Sequence, residues 1–155
     1  MTSVNEGGAA GTRVQAEEVV TIDSAVLGRV AVPAASVHEL PAGLIGFERH
    51  TRFALVPAGR EGLYWLQSLQ EPGLAFVLAD PFQLAPGYAA ELADADAAAI
   101  GAARAEDVML LAVVTLGTMP TVNLRAPLAF NVATRRARQV VLADDRLSTA
   151  EPVTL

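Results

Sequence analysis

Apolar residues in this chain fall into short β-branched runs separated by turn residues, a period-two signature of strands. "VVTIDSAVLGRVAVP" (Val19 to Pro33) holds two such runs split at Asp23-Ser24 and predicts strand, turn, strand. "RFALVPAG" and "LYWLQSLQEPGLAFVLADP" follow. In the second, Pro72 and Gly73 occupy the central positions of an expected type II turn. A hairpin of residues 63–69 with 74–79 is therefore predicted, with Leu74, Phe76 and Leu78 on one side and Pro81 ending the strand. "DVMLLAVVTL" is almost uniformly apolar, as in a strand covered on both faces. "LAFNVATRRARQVVL" predicts two more strands around a turn at residues 134–136.

One stretch reads as helical. In "PGYAAELADADAAAIGAARAEDV" the residues Tyr88, Leu92 and Ala95 recur at about helical spacing among alanines. Asp94 or Asp96 is expected to cap a short helix ending near Gly101. Strands outnumber helices and do not alternate with them. The fold class expected is mostly β: one small antiparallel domain, barrel or sandwich, with one or two short helices. Residues 18–151 are expected to form it, between a flexible polar lead-in (1–17) and a short tail (152–155).

Size agrees with this. A chain of 155 residues buries roughly 68–70% of the surface it would expose unfolded. It needs no staple, and it has no cysteine for a disulfide or thiolate. The opening residues lack the basic and apolar regions of a secretory signal. The run Val108 to Leu116 is about half a membrane helix. A cytoplasmic protein is expected, with no membrane partner.

Charge narrows the partners. Net charge is −6, and all eleven basic residues are arginines. Phosphate backbones repel such a chain, whereas a basic protein is attracted. The stretch from Glu71 to Asp107 holds seven acids against one base, Arg104; the stretch from Thr121 to Leu142 holds four arginines and no acid. The two stretches either face different surroundings or pair with each other.

Catalytic patterns are missing. His38 and His50 stand in unrelated contexts without zinc-site spacing. Ser68 lacks a nucleophile elbow, and no glycine-rich phosphate loop precedes a helix. Asp94 and Asp96 are two apart, a spacing that points side chains to different sides of a helix. No catalytic residue, cofactor or metal is expected.

Two stretches remain unexplained by this. "LPAGLIGFE" places Leu44, Ile45 and Phe47 between loop-forming residues, either to plug a barrel end or to form an adhesive patch. "TVNLRAPLAFN" mixes core residues with Asn123, Arg125, Pro127 and Asn131. It reads as an edge segment whose polar residues fix an irregular backbone or meet a partner.

"GLIGFE", "LQSL…P…LAFVLADP", "PGY", "TVNLRAPLAFN" and "RQVVL" resemble, in order and spacing, the FliW family of flagellar assembly factors. Two residues depart from that pattern: Ile45 stands where the family often has proline, and Leu147 where tyrosine is common. The resemblance implies a β-barrel-like, non-enzymatic partner switch, monomeric when free. It would bind flagellin before export. When free, it would bind CsrA, a basic dimeric RNA-binding protein that represses flagellin mRNA translation, by an allosteric route. Partner-binding candidates are Phe47, Gln67, Asp80, Asn123, Arg125, Pro127 and Asn131, with Asp80 also placed to cap the bend before Pro81. The competing readings are a flagellin-only export chaperone and a small-ligand-binding or hydrolytic barrel with a deep polar pocket.

Overall fold

The computed structural model describes residues 2–4 and 18–155. The expected lead-in of residues 1–17 lies outside the described residues except at 2–4. The described strands are β1 Thr2–Ser3, β2 Val19–Ser24, β3 Gly28–Pro33, β4 Val37–Glu39, β5 Arg52–Pro57, β6 Leu63–Ser68 and β7 Ala75–Ala79. They continue with β8 Glu91–Leu92, β9 Val108–Thr115, β10 Thr121–Val122, β11 Leu128–Asn131, β12 Arg136–Gln139 and β13 Glu151–Pro152. Two short helices, α1 Pro81–Leu84 and α2 Asp94–Ala99, sit among them.

Seven strands close on themselves in the order β11, β12, β4, β5, β6, β7, β9, with β9 pairing back to β11. All these pairings are antiparallel except β12 on β4. The strand pattern predicts a mostly β domain, and the closed ring decides for the barrel-like form that the resemblance implies. Beyond β9 the sheet continues through β10 to β13, so the expected tail begins inside a strand pair.

Alternation along each strand decides what lies inside. Phe53, Leu55, Leu66, Leu78, Leu111, Leu128, Phe130 and Ala137 fill the barrel, closed off by Leu40 and Leu44. Leu74 and Phe76 join Leu78 on that inner side, as predicted. The intervening residues face outward, and other segments cover them. Val108, Leu110 and Ala129 pack under residues around α2, while Ala112 and Val114 pack with residues flanking α1 and the tail. Ala54 and Val37 pack under the β2–β3 hairpin. Strand β9 is apolar from Val108 to Val114, where both of its faces are covered, and ends at the exposed Thr115.

Three local expectations change. The first turn falls at residues 25–27, because Asp23 and Ser24 stay in register with Arg29 and Gly28. There the Ser24 hydroxyl accepts the Val26 and Leu27 N–H groups. The β6–β7 turn keeps its bond from Leu74 N–H to the Glu71 carbonyl. Gly73, however, does not take the positive φ of a type II turn. Carbonyls of this loop instead turn inward onto the buried Gln67 amide.

The third change concerns residues 86–108, where the helix shrinks to α2. Gly87 bends the chain with φ 80, Tyr88 lies in a loop, and Leu92 belongs to β8. Burial of Leu92 and the tie on the Tyr88 hydroxyl outweigh alanine's helix propensity. Asp94 and Asp96 fall in the first turn rather than at the N-cap, which is Ala93. The helix stops where expected. Gly101 takes φ 71, and Gly101 and Ala102 donate to Ala98 and Ala97, closing a Schellman motif.

Candidate functional site

The segment from Asn123 to Pro127 joins β10 to β11 without regular structure, yet it lies mostly inside the molecule. Its backbone groups must therefore find partners elsewhere. Four consecutive carbonyls do so. Leu124 accepts the Tyr88 hydroxyl at 2.8 Å, and Arg125 accepts Leu142 N–H at 2.8 Å. Ala126 accepts the Gln139 side-chain amide at 3.0 Å, and Pro127 accepts Val140 N–H at 2.9 Å. On the donor side, Asn123 N–H reaches Val113, Leu124 N–H reaches Ser148, and Ala126 N–H is held by the Asn123 Oδ1 at 3.0 Å. Burial pushes the Tyr88 phenol up to about 12.

The "GLIGFE" loop meets this segment through Gln139. Ile45 and Gly46 are the central residues of a turn closed by Phe47 N–H on the Leu44 carbonyl at 2.7 Å, with Gly46 at φ 87. That is type II geometry, whose first central position favours proline. Here Ile45 stands there, and its N–H donates to the Gln139 Oε1 at 2.9 Å. A proline would lack that donor, so the bond to Gln139 replaces ring rigidity. Gly43 is needed for a second reason: at φ 65, an added Cβ would lie 2.6 Å from Glu48 backbone.

The loop both plugs and projects. Leu40 and Leu44 enter the barrel core, whereas Ile45 is 63% and Phe47 39% exposed. Phe47 leans edge-on against Phe76 with ring centroids 5.1 Å apart. Beyond Gln139, Val140 and Leu142 are buried and Val141 is exposed, so Val141 points to the same side as Gln139. Ile45 and Phe47 thus project from a rim loop that Gln139 ties to the segment 123–127, and the exposed Val141 follows Gln139 by two residues.

The seven candidate residues divide by placement. Phe47 lies on that rim. Arg125 is half-buried and donates from Nε to the Leu142 carbonyl at 3.4 Å. Asn123 caps its own loop, and Pro127 is buried just before β11. Asn131 is buried, donating to Ile100 and accepting from Ala133 and Thr134. Gln67 is fully buried inside the β6–β7 turn. Asp80 caps α1 through Phe82 N–H at 2.9 Å, the bend-capping role expected for it. The edge reading of this segment changes: β11 is paired on both sides by β9 and β12, because closing the barrel uses both strand edges.

Ile45 falls in the loop read as plug or adhesive patch, whereas Gln139 and Val141 are not among the expected contact residues. Alternation after Ala137 carries the signal for the facing of both. Nothing local marks Gln139 as a bridge.

The two charged stretches meet at one point, Arg138 Nε to Asp96 Oδ1 at 3.2 Å. Asp107 spends its carboxylate on Ala103 and Arg104 N–H groups. His50 is half-buried against Phe47, and His38 is buried edge-on to Phe130 with Nε2 unpaired. Burial pushes the His38 imidazole below its ordinary value; the Ser36 carbonyl opposes this and Arg135 adds to it. Among the described residues, no group of three or more His, Cys, Asp or Glu could hold a metal. No described helix is long and apolar enough to cross a membrane. A surface groove of about 770 Å³ between residues 83–84, 118–120 and 152–155 carries no ionisable side chain.

A family profile described as FliW protein matches residues 21–153. The flagellar assembly factor FliW of Symbiobacterium thermophilum is 39% identical over 123 residues, 76% of this chain and 89% of the relative. That of Syntrophotalea carbinolica is 41% identical, covering 72% of this chain and 81% of the relative. A crystal structure of the flagellar assembly factor FliW superposes with a TM-score of 0.79 at 28% identity, over 86% of this chain and 96% of that one.

Proposed function

This chain belongs to the FliW family of flagellar assembly factors, and from that premise we propose that it is a non-enzymatic partner switch in the cytoplasm. It binds flagellin before export. Once free of flagellin it binds CsrA and relieves repression of flagellin mRNA translation. One observation carries the reading: Gln139 ties the loop that projects Ile45 and Phe47 to the separate block at residues 123–127. A rigid loop presenting apolar side chains is suited to docking another polypeptide. The barrel interior is filled by side chains, which favours a surface-acting protein over a small-ligand or hydrolytic barrel.

A net charge of −6 without lysine supports a basic protein partner and disfavours direct RNA binding. Allosteric antagonism requires this chain to bind RNA-free CsrA more tightly than RNA-bound CsrA. Coupling of about 1–3 kcal/mol is typical. Reciprocity then demands that RNA weaken this chain's hold on CsrA by the same factor.

The test is calorimetry with purified flagellin and CsrA. The switch predicts two complexes at micromolar concentration or tighter, each excluding the other. A flagellin complex with unchanged CsrA–RNA affinity points to the export chaperone instead. No association with either protein would sink the proposal.

A further inference from the structure

Residues 2–4 do not join the barrel sheet. Thr2 and Ser3 pair antiparallel with Leu92 and Glu91, and Val4 N–H donates to the Ala90 carbonyl at 3.3 Å. Val4 is buried in the cluster that holds Ala90, Leu92, Ile100, Val140 and Leu142. Among the described residues β8 has no other strand neighbour. Next to this pair opens a cavity of about 230 Å³ between residues 89–91 and 142–147, which residues 2–4 leave unfilled. Its floor is Ala90, Leu142 and Leu147, and Glu91 and Asp144 stand at its edge. Asp144 shares its carboxylate with Arg146 at 3.0 Å. With Asp144 held by Arg146, Glu91 leaves the rim net negative.

A two-residue ladder and one buried valine barely offset the ordering of three residues' backbone. The occupied and vacated states of this edge therefore lie close in free energy. The edge has what strand addition requires: backbone groups that pair with an extended segment, an apolar seat for alternate side chains, and a cavity for a longer segment. Carboxylates at the rim select a basic segment.

We propose that β8 and the adjoining cavity form a docking site for an extended, basic segment of a protein partner, and that residues 2–4 occupy it competitively in the free chain. The inference rests on the reading that this chain binds a basic partner. Self-occupancy lowers apparent affinity by the fraction of molecules whose edge is vacant.

The chain has no cysteine, so the register pair of Ser3 and Glu91 can be crosslinked without side reactions. The full-length Ser3→Cys/Glu91→Cys variant is titrated with purified CsrA and, separately, with flagellin, first oxidised and then reduced. CsrA affinity should fall at least about tenfold on oxidation and return on reduction, with flagellin affinity unchanged. Val4→Asp, which weakens self-occupancy from the other side, should raise CsrA affinity several-fold, and Glu91→Arg should lower it. Equal CsrA affinity in the oxidised and reduced states overturns the docking site while leaving the partner reading intact. Loss confined to flagellin overturns the basic-segment assignment. A wild-type chain that binds neither protein overturns both readings.

Discussion

Replacing Asn131 by alanine tests whether the most specific block of the sequence is built for stability or for contact. Its amide donates to the Ile100 carbonyl at 3.0 Å, and its Oδ1 accepts Ala133 N–H at 3.0 Å and Thr134 N–H at 3.4 Å. The Ile100 carbonyl keeps a partner in the variant, because the Thr134 hydroxyl also donates to it at 2.8 Å. The loss is therefore one donor bond with a spare and two backbone N–H groups without one. At about 0.5–1.5 kcal/mol for each of the three bonds lost, Asn131→Ala should cost roughly 2–3 kcal/mol.

Asn131→Asp should cost more at neutral pH, since it sets a buried carboxylate oxygen against the Ile100 carbonyl. Its folded-state pKa would lie above the ordinary carboxylate value. The variant should therefore approach wild type near pH 4 and lose stability as pH rises. Urea unfolding at pH 7 and pH 4, followed by circular dichroism, reads both effects. In a domain of this size a 2–3 kcal/mol loss lowers Tm by about 5–10 °C. Flagellin and CsrA affinities, measured where the variant is folded, should stay within about twofold. An alanine variant as stable as wild type but weak in binding would refute this reasoning and make Asn131 a contact residue.

Three further outcomes follow. Burial keeps His38 neutral in the folded barrel while the unfolded chain takes up a proton below about pH 6.5; the unfolded state then binds more protons. Stability should accordingly fall as pH drops below about 6.5, and unfolding of His38→Phe should lack that part of the slope. Gly43→Ala should destabilise more than Gly46→Ala: both take positive φ, but only the former places a Cβ against backbone. Thermal melts should separate them by at least about 1 kcal/mol, and equal losses would remove the steric argument. Ile45→Asp should leave the melt unchanged and weaken a partner about tenfold in calorimetry; unaltered affinity for both proteins would take the rim out of the proposal.

Alternation told most of the architecture. The uninterrupted apolar run of β9 announced a strand covered twice, and Leu74, Phe76 and Leu78 announced an inward face. The loop around Ile45 was legible as an either-or choice, and the structure shows both halves, with Leu44 inward and Ile45 outward. Less legible was the segment after Pro86. Its composition favours helix, but its backbone is claimed by Leu92 pairing and by the tie from Tyr88 to Leu124.

Local spacing by itself determined the mostly β class, because which side of a strand a residue faces depends only on parity along the chain. It also determined the punctuation at Pro81 and Gly101, where backbone geometry is set by the residue itself. Only the tertiary structure decided what Asn131 and Gln139 do. A buried amide is placed by whichever distant carbonyl or N–H would otherwise go unpaired. For Gln139 those groups belong to Ile45 and Ala126, and they become its neighbours only when the last strands close the barrel.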